Sequence, residues 1–309
     1  MAPQLTVALL LIVALQRGGA VGGGPMPASS EPTQFERFAS TLKLDDKRQL
    51  PAVQQIFMMA AADASPFEQS MVRLRLRMVE LAAKPEEFAP VVAEYATAAA
   101  KMASVEVRAF GEVRDILRPN QRSKTAEAFG LMAGIFHPPT PRFGGRGRRG
   151  GTGGERALIS TVSVTSAEQR GGTRGGAGMG AMMIRPTRLA VFVAMFSMTD
   201  AQKKRTKDIL DAEYRAAAPL RDALTKTRAA LGQAIEDDKE AAEIDQAVTA
   251  YAAPVSAMAA SEMKALAKFL EPLEPDQRRS AATLQTVVYL MRGAFIGKKW
   301  DTEPDLRFY

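Results

Sequence analysis

Apolar residues recur along this chain in steps of three and four, and the longest such run is written twice. Phe88, Val92, Tyr95, Ala99, Met102, Glu106, Ala109, Val113 and Ile116 alternate four and three apart. That spacing predicts a helix from Pro85 to Leu117 with a coiled-coil-like seam. At ~1.5 Å per residue it would be about 50 Å long. Ile244, Val248, Tyr251, Val255, Met258, Glu262, Ala265 and Phe269 repeat the pattern. Adding 156 carries Tyr95 to Tyr251, Met102 to Met258, Glu106 to Glu262, Leu117 to Leu273, Pro119 to Pro275 and Gln121 to Gln277. Further on the offset is 159, and Leu131 to Phe136 is answered by Leu290 to Phe295. A slip of three residues is close to one helical turn and keeps the same face. The chain is therefore expected to be all-α and to hold two copies of one helical unit.

Around these seams the pattern predicts further helices in each unit. In the first, a helix opens near Leu44-Asp45-Asp46-Lys47-Arg48 and runs through Ile56, Phe57 and Ala60. Ala64-Ser65-Pro66 predicts a turn, with Pro66 at the first position of the next helix. That helix carries Met71, Leu74, Met78 and Leu81, spaced three, four and three. A carboxylate at one seam position in both copies, Glu106 and Glu262, is expected to face water or pair across the seam, with a functional acid as the alternative. Thr199 and Gln202 form the pattern of a capping box, and each seam helix ends at Leu-x-Pro-x-Gln. There Pro is preorganised for a first helical turn and Gln can reach back to a free backbone N–H.

Between the copies the periodicity stops. Residues 137–188 hold 13 of the chain's 24 glycines, nine Arg and two Glu, a local charge of +7 that equals the charge of the whole chain. Such a Gly/Arg-rich stretch is expected to be a disordered linker, with one short alternating segment, Ala157 to Val164, as a candidate strand. Residues 5–15 are an apolar run too short to span a bilayer and right for a signal-peptide core, followed by small residues at Gly18-Gly19-Ala20. The expected division is thus 1–30 signal peptide and flexible N-terminus, 31–136 first unit, 137–188 linker, 189–296 second unit and 297–309 a polar C-terminal tail.

Candidate chemistry is sparse. There is no Cys and one His, His137, so a thiol nucleophile, a Cys-ligated metal and a His pair are excluded. No phosphate-binding glycine loop is present, and no catalytic residue or cofactor is assigned. Glu236-Asp237-Asp238 reads as a solvated turn. A thioether metal site could be drawn from Met179, Met182 and Met183 or from Met195 and Met198, although 16 Met in a helical protein more often serve as adaptable packing. Exposed apolar groups beside mobile charges suit protein binding, and Met71, Arg73, Arg75, Arg77 and Met78 make such a patch on the second helix. The linker has the composition of RGG segments that contact nucleic acid or other anionic surfaces.

The Met198-Thr199-x-x-Gln202 box, the boxes Leu117-x-Pro119-x-Gln121 and Leu273-x-Pro275-x-Gln277, their spacing and the exported start resemble the LTxxQ-motif family, the Spy/CpxP-like periplasmic proteins. The departures are Met198 for Leu, Arg118 and Glu274 for Thr, and a first-unit box at Leu44 to Arg48 that has lost Thr and Gln. The resemblance implies thin, curved antiparallel helical dimers that hold unfolded clients on a concave face without ATP, or act as envelope-stress adaptors. Its motif residues are implied to be structural caps. It leads to the expectation of two units of about four antiparallel helices each in a periplasmic, non-enzymatic protein whose partners are unfolded or partly folded envelope proteins. The tandem arrangement, which the family pattern does not supply, suggests that the two units dock as an intramolecular pseudo-dimer. A heavy-metal resistance or sensing protein of the envelope is the alternative, and an RGG-type nucleic-acid-binding protein the second.

Overall fold

The computed structural model describes residues 34–45, 47–132, 136, 187–278, 281–296 and 300. The expected signal peptide, the Ala157–Val164 strand, His137, Phe143, Met179, Met182 and Met183, and all of the expected linker except its last two residues lie outside them. The described chain is all-helical. Five helices precede the stretch 137–186: α1 (Gln34–Leu42), α2 (Gln49–Glu80), α3 (Pro85–Asp115), α4 (Pro119–Arg122) and α5 (Thr125–Met132). Five follow it: α6 (Arg188–Met195), α7 (Asp200–Ala216), α8 (Ala218–Glu236), α9 (Ala241–Leu270) and α10 (Ala281–Met291).

The periodic seams are the buried faces of α3 and α9. Phe88, Tyr95, Ala99, Met102, Ala109 and Val113 are buried, as are Val248, Met258, Ala265 and Phe269. The helix expected from Pro85 to Leu117 ends at Asp115. Three expectations need correction. Pro66 does not start a helix but sits inside α2, which runs unbroken for 32 residues. Pro66 and Ala62, whose carbonyl loses its i+4 donor, are both exposed, so water can satisfy that oxygen and the helix continues. At the matching site of the second half, 153 residues on, Pro219 stands in the first turn of α8 just after a one-residue break at Ala217. The second correction is the linker boundary. Thr187 caps α6 by accepting a hydrogen bond from the Ala190 amide at 3.1 Å, and Arg188 is buried. The third is the tail, from which Trp300 returns to the core. It is 1% exposed, donates to Asp211 and packs edge-on against Phe295 and Tyr214.

Long helices run antiparallel to their neighbours. Along α2 and α3, Gln49 reaches Ile116, Asp63 pairs with Arg108 and Arg75 meets Tyr95. Along α7–α8 and α9, Gln202 reaches Pro272, Glu213 pairs with Lys268 and Arg228 lies over Tyr251. The two halves of the chain are also in contact. Helix α3 packs along α9, α5 along α8, and α10 along α2. Lys264 over Phe88 at one end and Arg228 between Glu106 and Tyr251 at the other show α3 and α9 antiparallel. One continuous hydrophobic core runs through both halves.

Candidate functional site

Two constellations repeat across the molecule, and both are built from the duplicated motifs. The first joins the ends of the helices. In the N-terminal half, Gln121 Oε1 accepts from the Arg118 amide at 2.8 Å, the reach-back expected of Leu-x-Pro-x-Gln. Its amide nitrogen donates to the carbonyls of Leu42 and Lys43, each at 2.9 Å. Gln49 and Gln121 then hydrogen-bond each other, at 2.9 and 3.0 Å. In the C-terminal half, Gln277 accepts from the Glu274 amide and donates to the Ser197 carbonyl, and Gln202 and Gln277 bond reciprocally at 2.8 and 3.1 Å. Leu117, Met198 and Leu273 are buried beside these clasps, while Pro119 opens α4. Pro275 lies in a turn, and Thr199 and Gln202 complete the capping box of α7.

The first-half box has therefore kept its glutamine. Gln49 stands four residues after Asp45 rather than three, and its Oε1 still accepts from the Asp45 amide at 3.0 Å. A fixed three-residue spacing hides it in the sequence. Lys43 and Ser197 both have left-handed backbones, with φ of 50° and 49°. Non-glycine residues hold that conformation only when their surroundings over-determine it. The clasp does so, since Gln121 and Gln277 bond the carbonyls of these two residues.

Asp45 takes the place of Thr199. Hydrogen bonds from the Lys47 and Arg48 amides, with Arg118 alongside, hold its carboxyl below the ordinary aspartate value. A depressed carboxylate contributes stability above its unfolded pKa and loses it as the pH falls through the folded value. Asp45→Ala should therefore lower the melting temperature at neutral pH. The gap from the parent should narrow as melts are run progressively below the ordinary aspartate range, and a gap that does not shrink on acidification would refute the assignment.

The second constellation joins the halves. Arg75, on α2, donates to Glu262 Oε2, on α9, at 2.7 Å and to the Tyr95 hydroxyl at 3.0 Å. In mirror fashion Arg228, on α8, donates to Glu106, on α3, and lies over the rings of Tyr251 and Phe129. Arg228 stands 153 residues after Arg75, and Glu262 stands 156 after Glu106. Each half thus gives one Arg and one Glu to the other. Glu262 is fully buried and Glu106 is 4% exposed, so the seam carboxylates pair rather than face water. Burial pushes the Glu262 carboxyl up, while Arg75 and the Phe295 amide pull it down. Burial works against the Arg75 charge, but Tyr95 and Glu262 hold its pKa above the ordinary value.

The Met71-to-Met78 segment does not form an exposed patch. Met71, Arg75 and Met78 are buried, and only Arg73 and Arg77 face solvent. Periodicity marked Met71 and Met78 as apolar, but the inward turn of Arg75 follows from a partner on the other half. Met198 is buried with its sulfur accepting from Thr206, and Met195 is half-buried. Asp238 closes the turn after α8 and pairs with Arg114. Among the described residues no three His, Cys, Asp or Glu side chains gather to hold a metal, and no helix is long and apolar enough to cross a membrane. Comparison of the chain with protein-family models, with curated proteins and with solved structures finds no match.

Proposed function

We propose that this chain is an exported, tandem LTxxQ-type protein that captures unfolded or partly folded envelope proteins in the periplasm, without nucleotide and without chemistry. In this reading the two units form a pseudo-dimer within one chain, and the outer surface of the paired bundle is the cradle. The observation that carries it is the antiparallel packing of α3 on α9, flanked by the Arg75–Glu262 pair of α2 with α9 and the Arg228–Glu106 pair of α8 with α3. It matches in one chain the antiparallel association that the motif resemblance implies for two. The glutamine clasps support the same reading, because both halves use the motif residues for the same bonds.

Exposed apolar side chains supply the contact surface. Met58 and Met59 are 46% and 62% exposed on α2. Eighteen residues, five helical turns, separate Met59 from the exposed Arg77, so an apolar group and a mobile charge share one face. Capture of an apolar segment there needs no site chemistry, only removal of its surface from water. Light scattering of a model protein that aggregates on unfolding tests the reading. The full chain at equimolar ratio should suppress scattering without ATP, and Met58→Asp with Met59→Asp should weaken that suppression. Scattering unchanged by the parent chain would sink the proposal.

A further inference from the structure

The two halves share a motif set, yet their facing surfaces differ, and two buried places show it most plainly. On the α2 and α10 side, Glu68 is 3% exposed and holds Arg292 through both carboxylate oxygens. The registers that relate the halves put Arg221 at the position of Glu68 and Ala133 at the position of Arg292. On the α8 and α5 side, Phe129 packs on Gly232. A Cβ built on Gly232 would lie 3.4 Å from the Phe129 ring and 3.5 Å from the Ala126 carbonyl, already at contact distance, so the γ-carbons of a valine would add bulk to a filled face. The matching positions hold Val79 in place of Gly232 and Val288 in place of Phe129.

We infer that each half is built to accept the unlike half and to reject a second copy of itself. The conclusion does not depend on client binding. Pairing two N-terminal halves would leave Glu68 without a guanidinium partner, since that half has no Arg in the register of Arg292, and would drive Phe129 into Val79. Pairing two C-terminal halves would set Arg292 against Arg221 and leave a void between Val288 and Gly232. A buried charge without its partner and a steric clash both oppose association, whereas the unlike pairing satisfies both places at once. The shared Arg75–Glu262 and Arg228–Glu106 pairs cannot discriminate, since each half carries one Arg and one Glu. Selectivity therefore rests chiefly on the buried Glu68–Arg292 and Phe129–Gly232 contacts, because the unmirrored Arg114–Asp238 pair is largely exposed and contributes little. The partner this surface fits is the complementary half of this chain.

Substitutions in the full-length chain can imitate each like pairing. Glu68→Arg and Phe129→Val give the N-terminal half the residues of the C-terminal one, while Gly232→Val does the converse. Each single variant should lower the melting temperature by roughly 5 °C or more and enlarge the hydrodynamic radius in sedimentation as the halves part. Glu68→Arg combined with Arg292→Glu restores opposite charge, and Gly232→Val combined with Phe129→Val restores fit. Both double variants should recover at least half of the lost melting temperature and the compact radius. Single variants that melt within 1 °C of the parent, or double variants no better than their worse single, would overturn the inference.

Discussion

Glu262→Ala should destabilise this protein more than any other single carboxylate replacement, by about 3–5 kcal/mol, because it leaves the Arg75 guanidinium buried without its charge partner. The melting temperature should fall on the order of 10 °C. Tyr95 remains as an acceptor for Arg75, but a neutral hydroxyl cannot replace a carboxylate. Removing both charges is a different experiment. Arg75→Met together with Glu262→Leu takes away the desolvation cost along with the attraction, and should return most of the lost stability. A thermal or denaturant double-mutant cycle checks this. If the double variant is as unstable as the sum of the singles, the two side chains are not coupled and the bond between the halves is misassigned. Acid is not expected to open this contact through Glu262. Burial raises its pKa, so the native state binds that proton more tightly than the unfolded chain does. As the pH falls through the raised value toward the ordinary carboxylate range, the link favours the folded state. That is the opposite sign to Asp45.

Gln121→Ala is expected to cost about 2–4 kcal/mol, measured by urea unfolding, although it removes only one neutral side chain. The Arg118 amide, the carbonyls of Leu42 and Lys43, and Gln49 would all lose a partner. Lys43 would also lose the bond that helps hold its left-handed backbone, a conformation that opposes folding by roughly 1–2 kcal/mol for a residue with a Cβ. Gln277→Ala should cost less, because Gln277 is only half-buried and water can replace part of what it loses. Equal costs for the two, or costs within experimental error of zero, would mean that the clasps are incidental to stability.

Most of the helical architecture could be read from the chain. The three-and-four spacing from Phe88 to Val113 is a local property, and it survives folding because the same stripe that defines the helix becomes its buried face. The capping residues were equally legible. Thr199, Gln202, Gln121 and Gln277 satisfy backbone groups within three residues of themselves, and sequence spacing reports such bonds directly. Pro66 was misread because a proline inside a helix is tolerated only if the carbonyl it frees faces water, and that depends on the helix's neighbours. Gln49 was missed because a one-residue shift of its box leaves the same hydrogen bond within reach of a long side chain.

What the sequence determined by itself is the all-helical class and the buried stripe of each long helix, because both follow from bonds and side-chain periods confined to one segment. The tertiary structure alone decided where Arg75, Arg228, Glu68 and Arg292 point. Each is a charge on a helix, or in the turn just after one for Arg292, that would ordinarily face water. Only a carboxylate or guanidinium 122 to 224 residues away in the chain makes its burial tolerable. No local pattern can encode a partner at that distance, and so the contact between the halves could not be read from periodicity.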